Sequence, residues 1–299
     1  MQGLRGTLLH DEPMARHTTW RVGGPARWFY EPADIDDLAL FLSRLSEDEP
    51  LYWVGLGSNL LVRDGGIRGT VIMTAGALGG MTHDGVMVRA EAGVPCAKVA
   101  RYCARAGLVG IEFFAGIPGT VGGALAMNAG AFGGETWPLV ASVETIDRRG
   151  VRHVRQPDEY QVGYRSVSGP AGEWFIAAHF RLRSGDTQAS QARIKELLEK
   201  RNRTQPTSQP SCGSVFRNPP GDHAARLIEA SGLKGVCIGG ACVSEKHANF
   251  IVNTGSATAA QIESLIQQVA DTVERDHGVR LIREAHIIGE ALPQQEVKI

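Results

Sequence analysis

Two glycine-rich stretches and three isolated polar residues are where this sequence can do chemistry. The first stretch is Val54-Gly55-Leu56-Gly57-Ser58-Asn59-Leu60-Leu61-Val62. It opens like the dinucleotide fingerprint GxGxxG, but Leu60 stands at the third glycine position and another strand, not a helix, is expected next. The helix N-terminus that holds a pyrophosphate in that motif is therefore missing. A strand–turn–strand with Gly55, Gly57, Ser58 and Asn59 can still present backbone N–H groups to an anion, a plain β-turn being the alternative. The second stretch is Ala115-Gly116-Ile117-Pro118-Gly119-Thr120-Val121-Gly122-Gly123, continuing as Asn128-Ala129-Gly130-Ala131-Phe132-Gly133-Gly134. Pro118 fixes a turn, and Gly119, Gly122 and Gly123 lack a Cβ, so a flat or phosphorylated ligand can approach the backbone. Thr120 is placed to cap the helix that follows. No Lys follows the glycines, so this is not a nucleotide-triphosphatase loop. Two such loops suit a ligand bound along its length, such as a dinucleotide; tight helix packing is the alternative for the second.

The isolated residues are Arg165, Ser214 and Glu284. Arg165 follows Tyr164 in a short loop between strands, and an arginine can hold a carboxylate with both arms of its fork or stabilise developing negative charge. Ser214 follows Gly213 in a turn, outside any GxSxG elbow, so a hydrolase nucleophile is not indicated. Cys212, two residues earlier, is a rival reactive group. Glu284 lies between two apolar segments, beside Arg283. Arg217, Asn218, Lys246 and Asn249 are candidates to meet phosphate or sugar. His17, His83, His223, His247 and His286 show no metal-ligand spacing, and no pair among Cys96, Cys103, Cys212, Cys237 and Cys242 has the CxxC spacing. No metal is expected. Dispersed, unpaired cysteines point to a reducing compartment.

The elements that must position these residues read as mixed α and β. Strands are expected at Ala26–Tyr30, Leu51–Gly55, Leu60–Val62, Thr70–Met73 and Val86–Ala90. Asp34 is an N-cap for a helix running to about Leu45, and Pro95 opens a second helix closed by Gly107. Val140–Asp147 and Val151–Val154 flank Arg148-Arg149-Gly150 as a hairpin. A strand at Trp174–Arg183 and a polar helix over Thr187–Arg203 lead to a Pro/Ser/Thr/Gln run at 204–211, the best candidate boundary. Beyond it come a helix at His223–Ala230, strands at Val236–Ile238 and Asn249–Asn253, a helix from Thr258 to about His277, and a strand pair Val279–Ile282 with His286–Ile288.

With 299 residues, 31 Lys+Arg and 32 Asp+Glu, the formal charge is −1. A charge so near zero supplies no broad attraction for nucleic acid or an anionic membrane. The 37 glycines are about 12% of the chain against a usual ~7%, which suits many tight turns or close backbone approach to a ligand. Asp11 and Glu12 interrupt the N-terminus before a signal-peptide core can form. Val109–Gly134 carries one charge, Glu112, and is long enough to span a bilayer. Eight of those residues are Gly and Pro118 sits near the middle, so a buried glycine-rich loop and short helix are expected instead.

The pair GLGSNLLVRDGG and AGIPGTVGGALAMNAGAFGGE resembles the flavin-binding half of the UDP-N-acetylenolpyruvoylglucosamine reductase family. The likeness extends through HTTWRVGGPA (17–26), GYRS (163–166), GSVFRNP (213–219) and EAHIIG (284–289), in the family's order over about residues 16–290. The resemblance implies an α+β architecture: a two-lobed FAD-binding domain of p-cresol methylhydroxylase type (1–75 and 76–203) and a C-terminal α/β substrate-binding lobe (204–299). It implies non-covalent FAD on Gly55, Gly57, Ser58, Asn59, Leu60, Gly116, Ile117, Pro118, Gly119, Thr120, Gly122 and Gly123. It further implies two half-reactions. NADPH reduces FAD and leaves; UDP-N-acetylglucosamine enolpyruvate then takes a hydride from flavin N5 on its terminal vinyl carbon. Arg165 and Glu284 would stabilise the resulting carbanion, and Ser214 would protonate it to give UDP-N-acetylmuramate. Tyr164, Arg217, Asn218, Lys246 and Asn249 would contact substrate.

By the same resemblance the protein serves peptidoglycan synthesis and cell-wall biogenesis, hence cell shape and division. It would be a cytoplasmic monomer with small-molecule partners only. The short segment from Arg165 to the next strand matches the compact branch of the family, which lacks a substrate-covering insertion. Val167 stands where many relatives have a second Ser, and Ala285-His286 where Val-Arg is usual. An FAD oxidase of the same fold and a non-enzymatic nucleotide-binding module are the alternatives. Release of flavin by acid argues against a tethering oxidase, and a colourless protein would argue for the module.

Overall fold

A computed structural model describes residues 3–293. The chain forms two compact units. The first holds residues up to Leu9, Phe29–Leu56 and Val71–Arg203; the second holds His10–Trp28, Gly57–Thr70 and residues from Thr204. The sequence suggests a division at 75/76 within the first 203 residues. In the two-unit division, 10–28 and 57–70 fall with the C-terminal part, and the strands Thr7–Pro13, Pro25–Glu31 and Ile67–Met73 each change unit partway along.

The first unit is built on a five-stranded antiparallel sheet, ordered Arg152–Arg155, Val140–Asp147, Glu173–Arg181, Met87–Glu91, Met81–Asp84. Val88, Ala90, Val143, Ala178 and Phe180 on its strands are buried with Val99, Ala100 and Cys103 of the helix Cys96–Arg105. The same core takes Val121, Ala124 and Leu125 of the helix Val121–Met127. The apolar stretch around Glu112 is the expected loop and short helix: a 3-10 turn at Glu112–Gly116, then Val121–Met127. No helix among the described residues is long and apolar enough to cross a membrane.

A second core in this unit sits under the helix Ile35–Leu42, which buries Leu38, Phe41 and Leu42 with Tyr30, Ile72 and Ile176. Asp34 caps it as expected, accepting from the Asp37 N–H at 2.9 Å, but the helix ends at Leu42, three residues early. Asp37 is 2% exposed and accepts from the N–H groups of Arg5, Gly6 and Ala33 and from the Tyr30 hydroxyl. Burial alone would raise its pKa; the donors outweigh burial and hold it below the usual carboxylate value. Burial, then the bond to Asp37, pushes the Tyr30 phenol up. Asp37→Asn should therefore cost about 3 kcal/mol at neutral pH, since an amide cannot accept from every donor. A group whose folded pKa is lowered contributes stability above its unfolded pKa and loses it as the pH falls. The gap between wild type and Asp37→Asn in urea melts should thus close as the pH drops below about 4. A gap that persists in acid would assign the loss to packing.

The second unit is organised by the helix Ala259–His277, which buries Ile262, Leu265, Ile266, Val269 and Val273 along one face. Thr258 and Gln261 form a capping box, and Gly278 at φ 67° closes the helix. Asp64 also accepts from the first two helical N–H groups, Ala259 and Ala260, both at 2.9 Å. The tail of the first glycine-rich motif is thus a helix anchor. The 17–26 motif is structural too. Trp20 is fully buried and donates to Ile251 O at 2.7 Å, while a Cβ on Gly57 would lie 2.1 Å from His17 O.

Two expectations fail here, and one strand was not anticipated. Val279–Ile282 is not a strand; only Arg283 bridges, to Phe216, and His286–Ile288 pairs in parallel with Leu60–Val62. The strand Thr7–Pro13 has no apolar alternation, and none was expected there. Cys237 and Cys242 are not unpaired: the hairpin sets them opposite each other, and they form a disulfide. Cys96, Cys103 and Cys212 are free and buried.

Candidate active site

In the first unit, the strand Leu51–Val54 delivers Gly55 against Thr120, the residue before the helix Val121–Met127. A Cβ on Gly55 would lie 2.4 Å from Thr120 Oγ1, so only glycine allows this approach. Gly55, Thr120, Gly122 and Gly123 line one cavity of about 290 Å³ with Trp53, Thr74 and Ala92. Its far wall is Tyr160, Gly169, Pro170, Glu173, Trp174 and Phe175, with Trp53 and Trp174 stacked at 5.1 Å. The two glycines differ. A Cβ on Gly122 would lie 3.0 Å from Ala92 Cβ, whereas one on Gly123 would meet nothing nearer than Thr120 Oγ1 at 3.9 Å.

Not every residue of the motif reaches this space. A Cβ on Gly116 would strike the Phe132 ring at 2.3 Å, Ile117 is buried, and Gly119 O accepts from Cys96 N–H at 2.9 Å. These residues, with the exposed Pro118, shape the turn. Thr120 occupies the N-cap position but makes no side-chain cap bond. Gly57, Ser58, Asn59 and Leu60 belong to the second unit.

Arg165 is the second residue of a tight turn between Gln161–Gly163 and Ser166–Ser168. Its φ is +53°, a left-handed conformation that a long L side chain rarely adopts. Strain of this kind persists where the surroundings over-determine it, often at functional sites. Its guanidinium donates to Asn128 O at 3.3 Å and Gly130 O at 3.1 Å and lies 5.0 Å from the Tyr164 ring centre. Tyr164 is exposed.

Ser214 and Glu284 lie in the second unit, which brings their backbones together. Val215 O accepts from the N–H groups of Glu284 at 2.8 Å and Ala285 at 3.3 Å. Phe216 bridges Arg283, and Arg217 N–H donates to Ile282 O at 2.9 Å. The other side of the Ser214 segment is held by Asn249. Its buried side chain accepts from Phe216 N–H at 3.0 Å and donates to Phe216 O at 2.8 Å, while Asn249 O accepts from Val215 N–H. The Asn249 amide thus serves the backbone beside Ser214 instead of facing outward. Asn59 ties the first motif to the same place: its side chain donates to Glu284 O at 3.0 Å and its carbonyl accepts from His286 N–H at 2.9 Å.

Of the remaining candidates, Asn218 is exposed and accepts from Ala224 N–H at 3.1 Å, capping the helix Ala224–Ala230. Lys246 is exposed. Arg217 keeps a buried Nε with no hydrogen-bond partner, a donor suited to an incoming anion. Burial, then the Arg283 and Arg217 charges, lowers the His286 pKa, so this departure from the usual Arg adds no positive charge at neutral pH. Cys212 is 4% exposed; burial, then the Glu284 charge, pushes its thiol up. The sequence alone did not single out Asn128 as the acceptor for Arg165, although it lies in the quoted glycine-rich run.

Residues 26–155 match the FAD binding domain, and residues 205–288 match the UDP-N-acetylenolpyruvoylglucosamine reductase, C-terminal domain. An FAD-binding domain joined to a second domain of this kind defines a flavoprotein oxidoreductase. The chain is 67% identical over 286 residues to the UDP-N-acetylenolpyruvoylglucosamine reductase of Alkalilimnicola ehrlichii, covering 96% of each chain. It is 63% identical over 288 residues to that of Methylococcus capsulatus, covering 96% of this chain and 95% of the relative. The crystal structure of the Thermus caldophilus reductase superposes with a TM-score of 0.81 at 34% identity, over 95% of this chain and 98% of that one. The chain belongs to the UDP-N-acetylenolpyruvoylglucosamine reductase family, and its fold is the expected FAD-binding α+β type with a C-terminal domain.

Proposed function

We propose that this protein reduces UDP-N-acetylglucosamine enolpyruvate to UDP-N-acetylmuramate, with NADPH as electron donor and FAD held non-covalently. The observation that carries the reading is the pairing of the Ser214 and Glu284 segments through Val215 O, in a chain of this family. The cavity suits a flat cofactor: Gly55, Gly122 and Gly123 line it, Gly123 leaves space open there, and stacked aromatics form its wall. Residues 1–75 and 76–203 supply the main FAD contacts, and 204–299 those to substrate. FAD, which Gly55, Thr120, Gly122 and Gly123 would hold, would supply the hydride chemistry between NADPH and the terminal vinyl carbon.

The protein's part begins with the charge this leaves on the substrate, a carbanion conjugated with its carboxylate. The Arg165 fork binds that carboxylate or aci-form, and Glu284 contributes as a hydrogen-bonding carboxyl. Ser214 gives its proton to the carbon beside the carboxylate. An alkanol is a poor acid, so this donor works only against an acceptor as basic as a carbanion. Tyr164, Arg217, Asn218 and Lys246 contact the sugar nucleotide. The enzyme acts in the cytoplasm as a monomer, in peptidoglycan synthesis and so in cell shape and division. Anaerobic turnover should consume NADPH and enolpyruvyl substrate one for one. Oxidation of NADPH without loss of the enolpyruvyl group would overturn the reading.

The two glycines separate cofactor binding from folding. Gly123→Val should fold normally and lose FAD, because its side chain would enter open cavity space. Gly122→Val should lower the melting temperature as well, because its Cβ has Ala92 at 3.0 Å. Flavin absorbance per chain and circular dichroism report both. Full FAD content in Gly123→Val would remove this loop from the cofactor site.

A further inference from the structure

We infer that Asn128 is a positioning residue for Arg165, resting on the role given to Arg165 above. Asn128 ends the helix Val121–Met127 in the left-handed region, at φ 45°. It is 2% exposed, yet every polar atom of its side chain is used. Oδ1 accepts from Trp137 N–H at 3.1 Å, and Nδ2 donates to Glu135 Oε2 at 3.0 Å and Gly163 O at 3.3 Å. Its own carbonyl accepts from Arg165 Nη1. One residue thus fixes the turn that carries Arg165, through Gly163, and half of the cradle that receives its guanidinium.

The other half of the cradle is Gly130 O, on the short strand Gly130–Ala131 paired with Gly134–Glu135. A Cβ at 130 would lie 2.5 Å from Gly134 O, 3.2 Å from Glu135 Cγ and 3.3 Å from Arg165 Nη1, so Glu135 and the guanidinium crowd one point. The amide matters because it both donates and accepts. Glycine would satisfy the backbone and make none of the side-chain bonds. Aspartate would keep the bond from Trp137 N–H but would set a second carboxylate against Glu135. The Asn128 and Gly130 acceptors are neutral carbonyls, so neither of these two bonds offsets the guanidinium charge. Asn128 therefore holds Arg165 in direction without drawing on the charge it brings to the substrate carboxylate.

The test is stopped-flow measurement of both half-reactions on the FAD-loaded protein, with Asn128→Gly and Asn128→Asp. Asn128→Gly should leave flavin reduction by NADPH unchanged and slow reoxidation by the enolpyruvyl substrate about 10–10²-fold, the cost of misplacing a group by about 1 Å. In an Arg165→Lys background the same change should add little, because the two act as one unit. Asn128→Asp should be slow at alkaline pH and recover as the pH falls. Two carboxylates at this spacing share one proton, and the O–H then restores one of the two lost N–H bonds, so the recovery is partial. Wild type should lack that limb.

Normal reoxidation in Asn128→Gly, beside a slow Arg165→Lys, would overturn the positioning role alone. Normal reoxidation in Arg165→Lys would overturn the reading of Arg165 itself. Equal loss of both half-reactions with early melting in both Asn128 variants would make the residue purely structural and end the proposal.

Discussion

Ser214→Ala is expected to reduce its flavin with NADPH at the wild-type rate and to be reoxidised by the enolpyruvyl substrate at least ~10²–10⁴-fold more slowly, the range for a lost general acid. The separation is expected because the proton is needed only after hydride has reached the substrate. The segment should keep its shape in the variant. Val215 is held by Asn249 and Glu284 through backbone atoms, and Phe216 by the Asn249 amide, and none of these bonds involves the serine hydroxyl. Ser214→Cys should recover part of the rate, since a thiol can also donate a proton. Cys212→Ala should keep both half-reactions, because its thiol is buried and held protonated by its surroundings. Rapid reoxidation of Ser214→Ala together with slow reoxidation of Cys212→Ala would move the donor by two residues. Failure of Ser214→Ala at the NADPH step would make the turn structural.

Arg165→Lys keeps the charge and is nevertheless expected to lose about 10²–10³ in the second half-reaction, by analogy with removal of an oxyanion donor. The reason is geometric. The guanidinium bonds two carbonyls at once through Nη1 and Nη2, which sets the plane of the fork. An ammonium is a point charge on a flexible stem and cannot reproduce that plane. Flavin reduction by NADPH should be unaffected. Stopped-flow reoxidation measures the loss directly, and an unchanged rate would remove Arg165 from the site.

Much of the fold was legible because local chemistry and tertiary packing agree. Asp34 and Thr258 cap helices, Gly278 ends one, and the apolar face of Ala259–His277 is the buried face. Helices and central strands bury one periodic face, and periodicity is what a sequence displays. The strand Thr7–Pro13 was not legible, since its side chains are mostly exposed and show no apolar alternation. Val279–Ile282 shows the opposite error: its residues have strand composition, but the partner segment offers a bridge only at Phe216. Cys237 and Cys242 lie five apart, and only the hairpin register reveals that they face each other.

In the candidate site, the close approach at Gly55 and the turn position of Arg165 were legible, since each follows from local residue type. It was not legible at Asn249 or Asn128. Asn249 reads as a residue available to a ligand and Asn128 only as part of a glycine-rich run, whereas the Asn249 amide bonds the Phe216 backbone and the Asn128 amide bonds Trp137 N–H, Gly163 O and the Glu135 carboxylate. Composition shows that an amide is present but not where its donors and acceptors point. Asp64 and Trp20 make the same point for the motifs: they sit in stretches that suggest a ligand, and they hold the second unit together.

The central claim is that one flavin passes hydride from NADPH to an enolpyruvyl sugar nucleotide, with this chain supplying the charge stabilisation and the proton. Anaerobic stopped-flow absorbance of the wild-type protein tests it most directly. The purified protein should be yellow, NADPH should bleach it, and UDP-N-acetylglucosamine enolpyruvate should restore the colour in a second phase with formation of UDP-N-acetylmuramate. A flavin that NADPH reduces but that only oxygen reoxidises would contradict the account.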